Sequence, residues 1–545
     1  MTPHGTPAGA NSSTAGLTSR HGLFGLVFLG IMSAICGSYW DSAWHTTKGL
    51  DTFLSPPHGL VYLGVTLIAT GLVGFVYTET RESSLRDALA KPQVRLAVLG
   101  AGMTFISAPF DAMWHFTFGR DAVVWSPPHM LAITAIFVLA VAVLLEVREI
   151  PGRLGLALQL AASGGVFGPL IFMLTEYETD VPQFDEMWYL PVLSTVCVMA
   201  FELIRAIVPR RFAATGAALA YTALRLLVLV FLVVIDLPWP AIPVLVVPAL
   251  VYDFAANRGW PAPARAALTV VAFYAAYVPA FNWLGGGVEI DATDVALGLP
   301  VALAGTWGIL AVVGAAGIRP AQLARAGVLA AIPVLLLVLP ASALAHDPGQ
   351  GERVGKTRLV AEVGADGATT LSGLVTSYKR GDCAQVGTRG ITARRAGRVV
   401  EGTLTSAGGC RFEGSVTLPD RGRWFVYADL KEPGKKLETW LPVIVDGTDA
   451  TFTRTNRQMY VPIGGGIHLS QIIAGVALYG GVLFLLVTVA RLTARTLRRP
   501  PSPAARDTGP EPPRGEGPGG NDAEPSPARA PAREERDDRE PAPVG

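Results

Sequence analysis

Met130-Leu131-Ala132-Ile133-Thr134-Ala135-Ile136-Phe137-Val138-Leu139-Ala140-Val141-Ala142-Val143-Leu144-Leu145 carries no charge and sits inside an apolar stretch spanning 128–147. About 20 such residues in a helix cross the hydrocarbon core of a bilayer. Comparable stretches lie near 22–44, 57–78, 94–115, 153–175, 187–208, 213–236, 238–256, 263–284, 294–317, 325–345 and 467–490. The pair at 213–256 is the least regular, because Asp236, Pro238 and Pro240 interrupt one long run. The fold expected is an α-helical polytopic membrane protein of about 12 spans. Half of the 545 residues are hydrophobic and only 16% are charged, where soluble domains hold about 25%. A net charge of +1 gives no general attraction to nucleic acid. Four cysteines are too few for a disulfide scaffold or a cysteine-rich zinc site.

Charge alternates between the loops. One set holds Arg81, Arg86, Lys91 and Arg95, then Arg148 and Arg153, Arg210 and Arg211, Arg258 and Arg265, Arg319 and Arg325, and finally Arg491, Arg495, Arg498 and Arg499. The opposite set holds little beyond Lys48 and Arg120 and is acidic at Glu176, Glu178, Asp180, Asp185, Glu186, Glu289, Asp291 and Asp294. Basic loops stay on the cytoplasmic side. Both termini are therefore expected in the cytoplasm of a multi-pass plasma-membrane protein, with the acidic loops outside.

Residues 346–466 follow another pattern. Thr357-Arg358-Leu359-Val360-Ala361-Glu362-Val363 and Arg423-Trp424-Phe425-Val426-Tyr427-Ala428-Asp429 alternate in short runs divided by Gly, Asp and Pro. That predicts an extracytoplasmic all-β sandwich inserted before the last span. Cys383 and Cys410 both fall there, as a disulfide or as two buried thiols. The remaining organisation is a disordered segment 1–20, a membrane domain 21–345, a terminal helix 467–492 and a basic, then Pro-rich disordered tail 493–545. Ala341-Ser342-Ala343-Leu344-Ala345-His346 reads as an Ala-rich helix end or as a peptidase site that would free His346 as an amino terminus.

One short sentence is written twice, over 36–62 and 106–133. The first copy reads Trp40-Asp41-Ser42-Ala43-Trp44-His45, then Gly49, Asp51 and Ser55-Pro56-Pro57-His58. The second reads Phe110-Asp111-Ala112-Met113-Trp114-His115, then Gly119, Asp121 and Ser126-Pro127-Pro128-His129. An Asp and a His four apart share a helix face. The Pro pair suits the first turn of the next helix, which puts the second His at its start. Each hairpin can thus gather a carboxylate and two imidazoles: Asp41, His45 and His58, and again Asp111, His115 and His129. The second copy has one more loop residue, which a loop absorbs. This donor set suits copper, zinc, iron or nickel. Asp51 and Asp121 can orient a ligating imidazole from behind or cap the loop. Trp44 and Trp114 read as interfacial anchors. The bland alternative is a duplication whose His and Asp merely tie the loops by hydrogen bonds.

Other polar residues within the spans are Glu202, Arg225, Asp253 and Asn282. Glu202 and Arg225 are expected to pair between neighbouring helices. Asn282 is a further candidate ligand or a structural amide. The acidic loop of Glu176, Glu178, Asp180 and Asp185 can draw cations or simply face water.

At Asp41, Trp44, His45, Asp51, Thr52, Pro56 and His58 the chain resembles a membrane-embedded, copper-binding subunit of the copper membrane monooxygenases, the ammonia and particulate methane monooxygenases. The resemblance covers about 25 residues per copy and implies copper held by Asp41, His45 and His58, and by Asp111, His115 and His129. It also implies other monooxygenase subunits or copper carriers as partners. The chain departs from that family in having two motifs, more spans and a fused β domain. A β domain preceded by His346 is faintly similar to a second subunit of those enzymes, which has outer β domains and a copper-binding amino-terminal His. No second His pair in 346–466 completes such a site. Three functions stay open: copper acquisition or transfer at the outer face, a copper-dependent monooxygenase or oxidase acting on ammonia or a small apolar substrate, and a non-metal interaction module.

Overall fold

The computed structural model describes residues 11–315 and 351–462, except 48–53, 83, 119–123, 183 and 285–286, with Ile473, Val476 and Ala477 beyond them; side chains at 11–21, 82, 112–118 and 312–315 are not described. Twelve α-helices precede eight strands among the described residues. They are α1 (Asn11–Thr47), α2 (Pro56–Glu82), α3 (Leu85–Ala90), α4 (Pro92–Phe118), α5 (Pro127–Val147), α6 (Gly152–Phe172), α7 (Thr175–Glu178), α8 (Tyr189–Ile207), α9 (Ala213–Val234), α10 (Val246–Asn257), α11 (Ala262–Leu284) and α12 (Ala292–Ala315).

Eight of these, α1, α2, α5, α6, α8, α9, α11 and α12, are long and apolar enough to cross a membrane, as in a multi-pass membrane protein. α4 covers the span expected at 94–115 but falls outside that set. The span expected at 238–256 is instead the short α10, because Pro238 and Pro240 hold the preceding segment out of a helix. The spans expected at 325–345 and 467–490 and the 493–545 tail lie outside the described residues. α1 begins at Asn11, inside the segment expected to be disordered.

The first two long helices meet backbone to backbone. A Cβ added at Gly30 would lie 2.6 Å from the Gly64 carbonyl oxygen, and one at Gly71 would lie 2.7 Å from that of Leu23. Small residues allow this close crossing between apolar helices. Ser33 adds an interhelical hydrogen bond from its hydroxyl to the Leu60 carbonyl at 2.8 Å. α2 runs antiparallel to α1, with Pro56 and Pro57 opening it.

The β domain is a closed barrel, which corrects the expected sandwich. Its strands are β1 (Gly351–Val363), β2 (Ala368–Tyr378), β3 (Gly387–Arg395), β4 (Arg398–Gly408), β5 (Arg411–Thr417), β6 (Gly422–Glu432), β7 (Lys435–Val445) and β8 (Ala450–Pro462). All pairings are antiparallel, in the cyclic order β1-β2-β5-β4-β3-β6-β7-β8. Closure comes from β1, which pairs with both β2 and β8 and carries register shifts near Gly355 and Thr357. Such bulges bend a strand. Inward alternation is identical in a sandwich and a barrel, so the sequence pattern does not separate the two. Leu359, Ala361, Leu371, Ile391, Trp424, Val426, Leu441 and Val443 fill the barrel core. The expected disulfide is present, joining Cys383 to Cys410 with Cα atoms 5.5 Å apart.

β6 and β7 are buried on both faces. Phe425, Tyr427, Trp440 and Tyr460 point outward and form a second apolar cluster with Val181, from the segment between α7 and α8. The barrel therefore packs against the helical bundle at the end that carries that segment.

Candidate metal centres

The first hairpin brings its three donors together around one carboxylate. Asp41 and His45 lie one turn apart near the end of α1, and Asp41 Oδ2 is 3.5 Å from His45 Nε2. His58, the third residue of α2, reaches across the turn to place its Nε2 3.4 Å from Asp41 Oδ1. All three side chains are mostly shielded, at 18–25% exposure. Asp41 Oδ1 is buried and makes no regular hydrogen bond among the described residues. A carboxylate held between two imidazoles is a donor set of the kind that binds divalent transition metals.

The donors do not converge fully. Each imidazole addresses its own oxygen of Asp41, and the three do not form a group with one donor atom each within 4.8 Å of one another. Nitrogen and oxygen ligands sit about 2.0–2.2 Å from a zinc-sized ion, so binding one ion requires the rings to turn toward each other. The one group that meets the 4.8 Å condition among the described residues is Asp382, Cys383 and Cys410. Its two sulfurs are joined in the disulfide, so they offer no thiolate and the group is not a metal site.

The second hairpin repeats the contact between helices. His129, the third residue of α5, places Nε2 3.2 Å from Asp111 Oδ1. The side chains of His115 and Trp114 are not described, and Asp51, Asp121 and His346 lie outside the described residues. Trp44 borders the first site, and Trp40 packs edge-on against Phe231 of α9, with ring centroids 5.3 Å apart.

The remaining polar residues are absorbed by the fold. Arg225 does not pair with Glu202. It pairs with Glu178 deep in the bundle, with both side chains 1% exposed, and lies over the Tyr39 ring. Glu202 pairs with Arg265. Asn282 is a structural amide: its Nδ2 donates to the Ile290 carbonyl at 2.8 Å and its Oδ1 accepts from the Ile290 amide at 3.0 Å. Asp253 accepts from the Thr215 amide and hydroxyl, both at 2.8 Å.

The acidic segment is not a solvated loop. Glu176 is buried and accepts the Val124 amide at 3.0 Å. Asp180 and Glu186 receive the two terminal nitrogens of Arg395 from the barrel, at 2.8 and 2.9 Å. Burial pushes the Asp180 carboxyl up, and the Arg395 guanidinium only partly offsets this. Asp185 accepts the Met187 amide at 3.1 Å. Arg457 was not marked by any motif, yet its guanidinium stacks 3.5 Å from the Trp440 ring centroid and donates to the Thr47 carbonyl at 3.3 Å.

Among the described residues, eight helices long and apolar enough to cross a membrane and a docked eight-stranded barrel point to a multi-pass membrane protein. No protein-family model matches the chain, and no curated protein sequence matches it either.

Proposed function

We propose that this protein binds copper at one or both Asp-His-His hairpins, on the extracytoplasmic face of the plasma membrane, and serves copper acquisition or transfer. The observation that supports this reading is the Asp41 carboxylate set between His45 and His58, each within 3.5 Å. The Asp111–His129 contact repeats the interhelical half of this arrangement in a second hairpin. Carboxylate and imidazole are ordinary ligands for copper and zinc alike, and the resemblance at Asp41, His45 and His58 selects copper. Two copies of one donor set in a single chain suit relay or storage better than one reaction centre. A partner that delivers or takes up the metal follows from this role, whether a copper carrier or other membrane subunits.

The test is metal analysis of the purified chain after loading with Cu(II) or Zn(II) and desalting. Wild type is expected to retain about two copper equivalents, one per donor set. His45→Ala combined with His129→Ala is expected to retain none while staying folded. Absence of copper and zinc from the loaded wild type, or unchanged content in the double variant, rejects the assignment. Oxygen uptake with an electron donor and ammonia or a small hydrocarbon separates an oxidase from a carrier.

A further inference from the structure

Two of the arginines through which the barrel meets the bundle lead to different hairpins. Arg457 lies on β8, is 9% exposed and stacks on Trp440. Its Nη1 donates to the carbonyl of Thr47, the last residue of α1 and two positions past His45. The carbonyls of a helix's final turn carry partial negative charge and lack partners within the helix, so a guanidinium there fixes the helix end.

Arg395 lies at the end of β3 and holds Asp180 and Glu186 together. The next residue, Ala396, donates its amide to the Pro182 carbonyl at 3.0 Å. The segment so held reaches the second hairpin. Glu176 accepts the Val124 amide, and Phe184 meets Trp125 edge-on with ring centroids 5.8 Å apart. Val124 and Trp125 lead directly into Ser126-Pro127-Pro128-His129.

We propose that the barrel positions both metal sites, with Arg457 acting on His45 and Arg395 acting on His129 through the 176–186 segment. This rests on the metal reading above. Neither arginine is placed as a ligand. Each is a positioning residue whose removal loosens the backbone beside one imidazole. Groups that orient metal ligands from behind typically change affinity about 10–100-fold when removed.

The experiment uses the full-length protein in lipid nanodiscs with Cu(II) as the probe and chelator competition as the affinity readout. His129→Ala leaves the first site, and His58→Ala leaves the second. In the first background Arg457→Ala is expected to weaken Cu(II) about tenfold or more and to change the copper EPR spectrum, whereas Arg395→Ala does neither. In the second background the two variants are expected to exchange roles. Near-UV dichroism of the barrel tryptophans reports that the barrel is folded. Should Arg395→Ala fail to fold, Arg395→Lys, which keeps the charge but not the two-pronged grip, takes its place with the same expected pattern. Equal loss in both backgrounds, or no loss in either, overturns the proposal.

A metal-independent arm separates this idea from its parent. Hydrogen exchange is expected to accelerate in peptides covering 40–47 for Arg457→Ala and in those covering 122–130 for Arg395→Ala. If the wild type takes no copper but this exchange pattern appears, the metal reading fails and the positioning stands. If copper binds and exchange is unchanged in both segments, the positioning fails.

Discussion

His58 Nε2 stands 3.4 Å from Asp41 Oδ1 although the two side chains belong to different helices. The closeness depends on the glycine crossing below them. A Cβ at Gly64 would come 2.7 Å from the Gly30 carbonyl oxygen and 2.8 Å from the Ala34 amide nitrogen, both backbone atoms that cannot swing aside. Gly64→Val is therefore expected to push α2 away from α1, lowering stability by about 1–3 kcal/mol, as overpacking does. It also weakens metal retention at the first hairpin. Gly59→Ala, where no atom lies within 4 Å of the added carbon, is the control and is expected to change neither. Thermal unfolding and metal analysis of the two variants check this.

Metal removal supplies a second prediction. A ligand that binds only the folded state stabilises it by about 2.7 kcal/mol at a free concentration one hundred times its Kd. Cu(II) is expected to raise the unfolding temperature of the wild type, and a chelator to reverse the rise. Asp41→Ala together with Asp111→Ala is expected to abolish the shift. A hydrogen-bonded hairpin without metal would give no copper-dependent shift in the wild type.

The sequence displayed the long apolar helices because hydropathy is a local property. The runs at 128–147 and 263–284 carry their reading within one window. The hairpins were legible for the same reason, since Asp41, His45 and His58 lie within 18 residues along the chain. Partner choice across distance was not legible. Arg225 is nearer in sequence to Glu202 than to Glu178, yet it pairs with Glu178, 47 residues away, because the bundle brings that segment over α9. Barrel closure was hidden too: alternation shows which side chains point inward, while the pairing of β1 with β8 is decided about 100 residues apart. The acidic segment looked solvated because its cation, Arg395, lies more than 200 residues downstream.

The Glu178–Arg225 pair gives a third prediction. Both groups are buried, so removing one leaves the other as an uncompensated charge, at a cost of about 3–5 kcal/mol. Arg225→Leu and Glu178→Leu are each expected to destabilise the bundle on that scale. The double variant, with no buried charge left, is expected to recover much of the loss. A double-mutant cycle read by chemical unfolding measures the coupling, and simple additivity of the two losses would contradict it.

The disulfide gives the last. Cys383 lies in the short helical turn between β2 and β3, and Cys410 in the turn between β4 and β5. Their bridge closes a loop with a separation of 27 residues, for which restriction of the unfolded chain contributes about 3.6 kcal/mol. The barrel core of Trp424, Leu441 and Val443 does not include the sulfurs, which pack only at its margin. Cys383→Ser with Cys410→Ser is therefore expected to lower barrel stability by about 2–4 kcal/mol without unfolding it at moderate temperature. Wild type under reductant is expected to match the double variant. The remaining thiols, Cys36 and Cys197, lie in the helical bundle, so reduction adds nothing further there. A loss of Cu(II) retention in the Cys383→Ser, Cys410→Ser variant, measured without reductant and with the barrel still docked, would contradict this separation, because none of the six proposed ligands is a sulfur.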